Sequence, residues 1–182
     1  SVPHSFLKAK EIRHILIENL QESEIYVPND IELGRNTEQN GILLYGTNAV
    51  GKSSLIRSIG ICVIMAQAGL FVPCTKFLFK PYKSIFTRIL GNDNLFKGLS
   101  TFAVEMSELR TILNNSTADS LILGDELCSG TETTSATSIF MAGILKLHEL
   151  QSSFIFATHF HEITDEPRLK SLDHLAFKHM AV

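Results

Sequence analysis

The run Gly46-Thr47-Asn48-Ala49-Val50-Gly51-Lys52-Ser53 has the residue types and spacing of a phosphate loop. Glycines at 46 and 51 let such a backbone curl until its N–H groups point inward at a polyphosphate. Lys52 then reaches the β- and γ-phosphates, and the Ser53 hydroxyl ligates Mg²⁺. Both flanks agree with this reading. Gly41-Ile42-Leu43-Leu44-Tyr45, just ahead, reads as a buried parallel strand. Behind the loop, Ser54-Leu55-Ile56 leads into Ile59, Val63 and Ala66 at helical spacing. Strand, glycine loop and helix place a phosphate at a helix N-terminus, where unpaired N–H groups and the helix dipole favour anions. An incidental surface loop would leave the apolar strand before it unexplained. The expected ligand is a nucleoside triphosphate with its metal ion.

Such a loop needs acidic partners for the metal and for an attacking water. The apolar strand Leu121-Ile122-Leu123-Gly124 delivers Asp125 and Glu126 at its C-terminal end, the edge where open α/β sheets bind ligands. Asp125 is expected to hold the metal's hydration shell together with Ser53. Glu126 is expected to orient or deprotonate the water. Ala157-Thr158-His159 ends the next apolar strand and so emerges at the same edge, where His159 could sense the γ-phosphate. His161 and Glu162 stand just beyond, but with no further ligands they do not make a metal site, and His161 reads as a structural or surface residue. Ser100-Thr101-Phe102 opens another helix. Ser100 is either its N-cap or part of a helix start that faces a phosphate, and the residues alone leave both readings open.

These groups require a scaffold, and the chain alternates in a way that supplies one. Ile12 to Glu18 reads as a first strand, followed by a polar turn over Gln21 to Glu24. Ile25-Tyr26-Val27 reads as a second strand, ended by the turn signature Pro28-Asn29-Asp30. A polar loop spans Arg35 to Asn40, and Pro73 breaks the helix after the phosphate loop. Strands are expected at Ser84 to Leu90, Ser120 to Gly124, Ser153 to Ala157 and Leu175 to Val182. Phe102, Met106, Leu109 and Leu113 mark one helix from near Ser100, and Ile139, Phe140, Ile144 and Leu147 mark another over Thr133 to Leu150. The expected fold is α/β: a mostly parallel sheet flanked by helices, preceded by an antiparallel β portion, in one domain over 1–182.

Bulk properties narrow the class. With 182 residues, 45% hydrophobic and 19% charged, the chain suits a folded domain with its own core. A net charge of −3 argues against a domain that itself grips a DNA backbone. Lys76-Phe77-Leu78-Phe79-Lys80-Pro81-Tyr82-Lys83 has the aromatic and basic make-up of a single-strand platform. The acidic total favours instead an edge strand whose aromatics pack inward and whose lysines are solvated. The apolar run Ile59 to Val72 is too short to span a membrane, and the start Ser1-Val2-Pro3-His4 shows no secretory signal. Without a starting Met, and with its last strand ending uncapped, the chain is expected to be part of a larger protein. Cys62, Cys74 and Cys128 are odd in number and far apart, as expected of thiols in a reducing intracellular compartment.

Taken together, the motifs resemble the ATPase domain of the MutS family of DNA mismatch-repair proteins, over nearly the whole chain. The resemblance rests on Arg13-His14 with Ile17-Glu18, on Tyr26-Val27-Pro28-Asn29-Asp30 and on Gly46 to Ser54. It continues in Ser100-Thr101-Phe102 with Glu105-Met106, in Asp125-Glu126-Leu127 with Gly130-Thr131, and in Ala157-Thr158-His159-Phe160. The Ser-Thr-Phe-x-x-Glu-Met string discriminates most, because phosphate-loop proteins at large do not carry it. The resemblance implies a fold of the ABC ATPase type, in which two domains meet face to face. It further implies that Ser100 caps the γ-phosphate of the partner's nucleotide, that Tyr26 lies against adenine, and that Asn48 assists at the γ-phosphate. ATP or ADP, Mg²⁺, a second such domain and DNA held by domains absent from this chain are the implied ligands and partners.

There are departures from the family pattern. The usual Pro after the first Gly is Thr47, and the usual Met-Gly-Gly before the Lys is Ala49-Val50-Gly51. The usual Gly-Arg-Gly-Thr-Ser-Thr is Cys128-Ser129-Gly130-Thr131-Glu132-Thr133. They point to a divergent branch, such as organellar or large-virus forms. They also leave an alternative, a nucleotide-gated dimerisation module with little hydrolysis. Another ABC-type ATPase of DNA maintenance is a further alternative, though an ABC ATPase of transport or chromosome-structuring type is weakened by the absence of a Leu-Ser-Gly-Gly string.

Overall fold

Short apolar runs bounded by polar turns form the strands, and longer runs with helical spacing cover them. The computed structural model describes residues 4–20, 25–34, 37–47, 50–88, 101–125, 133–159 and 161–180. Its elements are β1 (Phe6–Ile12), α1 (Ile15–Leu20), β2 (Asn29–Gly34), β3 (Gly41–Tyr45) and α2 (Lys52–Gln67). There follow β4 (Lys76–Lys80), β5 (Ser84–Arg88), α3 (Thr101–Asn115), β6 (Ser120–Asp125) and α4 (Thr133–Glu149). The chain continues through β7 (Ser153–Thr158), a 3₁₀ turn (His161–Asp165), α5 (Pro167–Lys170) and β8 (Leu175–His179).

The main sheet has five strands in the order β5-β6-β7-β3-β8, and every pairing within it is parallel. Side chains alternate across it, as the two-residue period of a strand requires. Ile42, Leu44, Leu121, Leu123, Ile155 and Ala157 join the core under α2. Leu43, Ile122, Phe154 and Phe156 join the core under α4, where Phe140 meets Phe156 edge-on at 5.7 Å. Both faces are buried, so the strands read as continuous apolar runs in the sequence.

A second, antiparallel sheet of three strands, β2-β1-β4, packs into the α2 core. Leu7, Ala9, Ile31 and Leu33 face inward with Phe77 and Phe79 against them, while Lys8, Glu32, Lys76 and Leu78 line its outer side. Lys8 pairs with Glu32 at 3.0 Å. The lysine-aromatic stretch is thus an edge strand with inward aromatics, and its outer face carries both signs of charge.

The antiparallel layer corrects two expectations. The first strand is Phe6–Ile12, and residues from Ile15 to Leu20 form a helix. The β-branched run Ile15-Leu16-Ile17 imitates a strand locally, but the strand has already broken. Its register shifts between Ala9 and Ile12, Glu11 adopts φ 52°, and the Ile17 N–H donates to His14 Nδ1 at 3.3 Å in the first turn of α1. Ile25-Tyr26-Val27 forms no strand, and the supposed turn residues Asn29 and Asp30 begin β2. Asp30 Oδ1 accepts the Glu11 N–H at 2.9 Å, so a residue type that signals a turn here patches an irregularity in the neighbouring strand. β8 ends at His179, short of the expected Val182, and the segment after β7 adds a 3₁₀ turn and α5 that periodicity did not reveal.

Candidate nucleotide site

Parallel pairing brings the site together. Tyr45 at the end of β3 is in register with Thr158 at the end of β7, and Asp125 at the end of β6 pairs with Ala157. The segments that leave these strands therefore start from one edge of the sheet. From β3 the chain turns directly into the phosphate loop. Gly46 and Gly51 have φ of +142° and +93°, a region open to glycine and strained for residues with a Cβ. Gly51 is also the N-cap of α2 and offers no side chain to cap it. The first helical bond runs from Leu55 N–H to Gly51 C=O at 2.9 Å, so the N–H groups of Lys52, Ser53 and Ser54 have no partner within the helix.

Lys52 is only 5% exposed. Its ammonium donates to the Gly46 carbonyl at 2.6 Å and the Thr47 carbonyl at 2.8 Å. A cation folded back on its own loop is poised beside the helix N-terminus, the setting that binds polyphosphate. Thr47 is exposed, and Val50, Ser53 and Ser54 are half-buried.

Asp125 is 5% exposed, and its Oδ1 is buried without a hydrogen-bond partner among the described residues. A buried carboxylate oxygen without a donor is costly unless a cation or ordered water completes it. The donor chemistry fits Mg²⁺, a hard ion that takes carboxylate and hydroxyl oxygens and keeps several waters. α2, which carries Ser53 in its first turn, packs across β6 and β7. His159 is exposed immediately past the end of β7. Among the described residues, no group of three or more His, Cys, Asp or Glu gathers as a metal cluster.

The structure thus brings together Gly46, Thr47, Val50, Gly51, Lys52, Ser53, Ser54, Asp125 and His159 at one edge. Asn48, Ala49, Ser100 and Glu126 lie outside the described residues, as do Cys128 and the segment through Glu132. Tyr26 lies in the irregular stretch before β2, where its phenol oxygen accepts the His14 N–H at 2.9 Å. Cys62 is buried and Cys74 half-buried, both as free thiols; burial, with Cys74 nearby, pushes the Cys62 thiol up to about 12, so it is inert.

Two features escaped the sequence reading. His179, at the end of β8, stacks edge-on against Tyr45 at 5.2 Å and lies beside Gly46, where a Cβ would come within 3.4 Å of its Nε2. Arg88, at the end of β5, is bound to Glu105 and Glu108 of α3. The only sequence signal for it was a lone charge closing an apolar strand.

A parallel α/β sheet with a glycine loop, a buried lysine and a strand-end aspartate defines a phosphate-loop domain. Residues 42–182 match the family described as MutS domain V, and the chain belongs to that family. It is 39% identical to a putative DNA mismatch repair protein mutS homologue of Acanthamoeba polyphaga mimivirus, over 99% of this chain and 19% of that protein. It is 45% identical to a mitochondrial DNA mismatch repair protein mutS homologue of Sarcophyton glaucum, over 87% of this chain and 16% of that protein. Identity to DNA mismatch repair protein MutS of Lactococcus lactis subsp. cremoris is 44%, over 93% of this chain and 20% of that protein. The chain spans about a fifth of the length of these relatives. Among the described residues, no helix is long and apolar enough to cross a membrane.

Proposed function

We propose that this domain binds and hydrolyses MgATP, and that the cycle drives a MutS-like DNA mismatch-recognition or clamp protein. The observation that carries the reading is the buried Asp125 Oδ1, which has no donor among the described residues and lies at the same edge as the lysine-bearing loop. The fold and the loop supply binding; that carboxylate supplies the reason to expect a metal. The likeness to viral and mitochondrial relatives supports a divergent branch of the family.

In this reading the loop N–H groups and Lys52 neutralise the β- and γ-phosphates. Ser53 and Asp125 would hold Mg²⁺, which when bound would supply charge neutralisation at the phosphate oxygens. Glu126 takes a proton from water as the water oxygen bonds to the γ-phosphorus. The bond from γ-phosphorus to the β-bridging oxygen breaks, and ADP leaves with phosphate. Asn48 and His159 orient the γ-phosphate and its water, and Tyr26 supports the adenine. Ser100 completes the site of a second copy or a paralogue, so each site is composite. DNA is held by parts of the protein outside this chain.

Turnover of ATP by the native full-length protein tests the proposal. Glu126→Gln should keep MgATP binding and lower kcat by roughly 100-fold or more, the usual weight of a general base. Lys52→Ala should lose binding and turnover together. Unchanged turnover in both variants would overturn the assignment.

A further inference from the structure

β5 is an edge strand, and among the described residues it pairs with β6 alone. Its last residue, Arg88, is in register with Gly124, and the next residue of β6 is Asp125. On its other side Asp125 is in register with Ala157 of β7. The strand end that carries the expected metal ligand is thus braced by β7 on one flank and by Arg88 on the other. Apolar packing fixes β5 only in part. A groove of about 240 Å³ opens between strand and helix, lined by Phe86 and Thr87 of β5 and by Ser107, Glu108, Thr111 and Ile112 of α3. Close packing normally sets the spacing of two elements, and here the Arg88 side chain bridges them instead. That side chain is 10% exposed, with Nη2 3.4 Å from Glu105 Oε1 and Nε 2.8 Å from Glu108 Oε2. Glu105 is completely buried, whereas Glu108 is half in solvent. The two glutamates sit about one helical turn apart, so a single guanidinium grips α3 at two heights. Buried ion pairs add little net stability over apolar packing of the same volume, so stability alone does not explain this one.

We propose that Arg88 is a positioning residue for Asp125, and through it for the Mg²⁺ of this domain's own site. By fastening β5 to α3 through Glu105 and Glu108, it fixes the strand that flanks the end of β6, and with it the direction in which Asp125 presents its carboxylate. The inference rests on the metal reading above. Arg88 acts through the strand and not by contact with nucleotide or metal, so the loop N–H groups and Lys52 keep their hold on the phosphates when it is changed. A small displacement is enough, because Mg²⁺ demands near-ideal octahedral geometry. A planar guanidinium can serve two carboxylates at once, and a lysine ammonium cannot hold the same fork.

Equilibrium binding of a fluorescent ATP analogue to the native full-length protein, followed as Mg²⁺ is titrated, reads the effect without turnover. The wild type should bind more tightly as Mg²⁺ rises, and the midpoint of that tightening reports the hold on the metal. Arg88→Ala should move the midpoint to roughly 10-fold higher Mg²⁺, the low end of what outer partners of a metal ligand carry. Its affinity for the analogue without Mg²⁺ should stay that of the wild type. Arg88→Lys and Glu108→Gln should give smaller shifts in the same direction. These two carry the test where Arg88→Ala folds poorly, since the first keeps a cation beside buried Glu105 and the second alters a half-exposed position.

Asp125→Asn, measured in the same way, separates failure of this inference from failure of the metal reading. It should lose the Mg²⁺-dependent tightening. If it keeps the tightening at the wild-type midpoint, Asp125 does not hold the metal, and the inference falls with that reading. If Asp125→Asn loses it while the folded Arg88 and Glu108 variants keep the wild-type midpoint, Arg88 has no positioning role. A loss of affinity in those variants that is equal with and without Mg²⁺ marks a general structural role and also overturns the proposal.

Discussion

At the scale of single residues, the site is built from groups that folding alone would not choose. Asp125 holds a buried carboxylate oxygen that has no donor among the described residues, and the Lys52 ammonium donates to two carbonyls of its own loop. Such an arrangement costs stability in the free protein, a cost that the proposed metal and nucleotide would offset. Asp125→Asn removes the uncompensated charge while keeping the shape. It should therefore raise the melting temperature of the nucleotide-free protein by a few degrees, about 2–4 °C for each kcal/mol relieved. The same variant should lose the extra stabilisation that Mg²⁺ gives with ATP. Thermal melts with and without Mg²⁺ and nucleotide check both effects; a lower melting temperature for the free variant would mean that the carboxylate is already satisfied. These residues were legible in the sequence because their chemistry is local, with loop, lysine and serine contiguous and the aspartate closing an apolar strand. Arg88 was not, because its partner Glu105 lies 17 residues further along and only the fold joins them. The roles of Ser100 and Tyr26 came from family resemblance and not from spacing.

Elements show the same division between local and long-range information. The strands β3, β6 and β7 were readable because a sheet buried on both faces writes an uninterrupted apolar run. The helices α2, α3 and α4 were readable because one apolar stripe recurs over several turns. The N-terminal layer defeated periodicity, since Phe6–Ile12 alternates with lysines and the following Ile-rich turn of α1 looks more strand-like than the strand. Asp30 marks where long-range pairing overrides turn chemistry. Its Oδ1 takes the Glu11 N–H at the point where the β1–β2 register shifts. Asp30→Ala leaves that amide to solvent and should destabilise the domain by about 1 kcal/mol, the net worth of one hydrogen bond. Asp30→Asn keeps an acceptor and should cost less. Urea titrations of the three proteins measure this; equal midpoints would show that the bulge holds without the bond.

The whole molecule depends on a seam between its two sheets, where a shared apolar core is accompanied by buried polar ties. Tyr82, 4% exposed, donates its hydroxyl toward the Leu33 carbonyl at 3.3 Å or the Ser153 Oγ at 3.1 Å, and its backbone N–H donates to Gln67 Oε1 at 2.8 Å. At the same β4–β5 connection, Asp119 just before β6 accepts from Lys83 Nζ at 2.7 Å and from the Ser5 N–H at 3.1 Å. Ser5 in turn donates to the Pro81 carbonyl at 2.6 Å, so the start of β1 is tied to the β4–β5 connection. Nothing in the sequence singled out Asp119, because an aspartate in a polar turn looks solvated until the fold brings Ser5 and Lys83 to it. The Lys83 hydrogen bond, then the Ser5 amide, hold its carboxyl at about 2, below its ordinary 3.8. A depressed folded-state value means that the ionised form is the stabilising one. Its contribution is complete above about pH 4 and is lost as pH falls through 2. The full shift corresponds to about 2 kcal/mol, and screening at the exposed Lys83 reduces this to about 1 kcal/mol. Asp119→Asn should therefore be about 1 kcal/mol less stable than wild type at pH 6, with the gap closing between pH 4 and pH 2. Denaturant unfolding of both proteins across that range, at fixed ionic strength, measures the gap. A gap that stays constant or widens as the pH falls would show that Asp119 holds the seam by shape and not by charge.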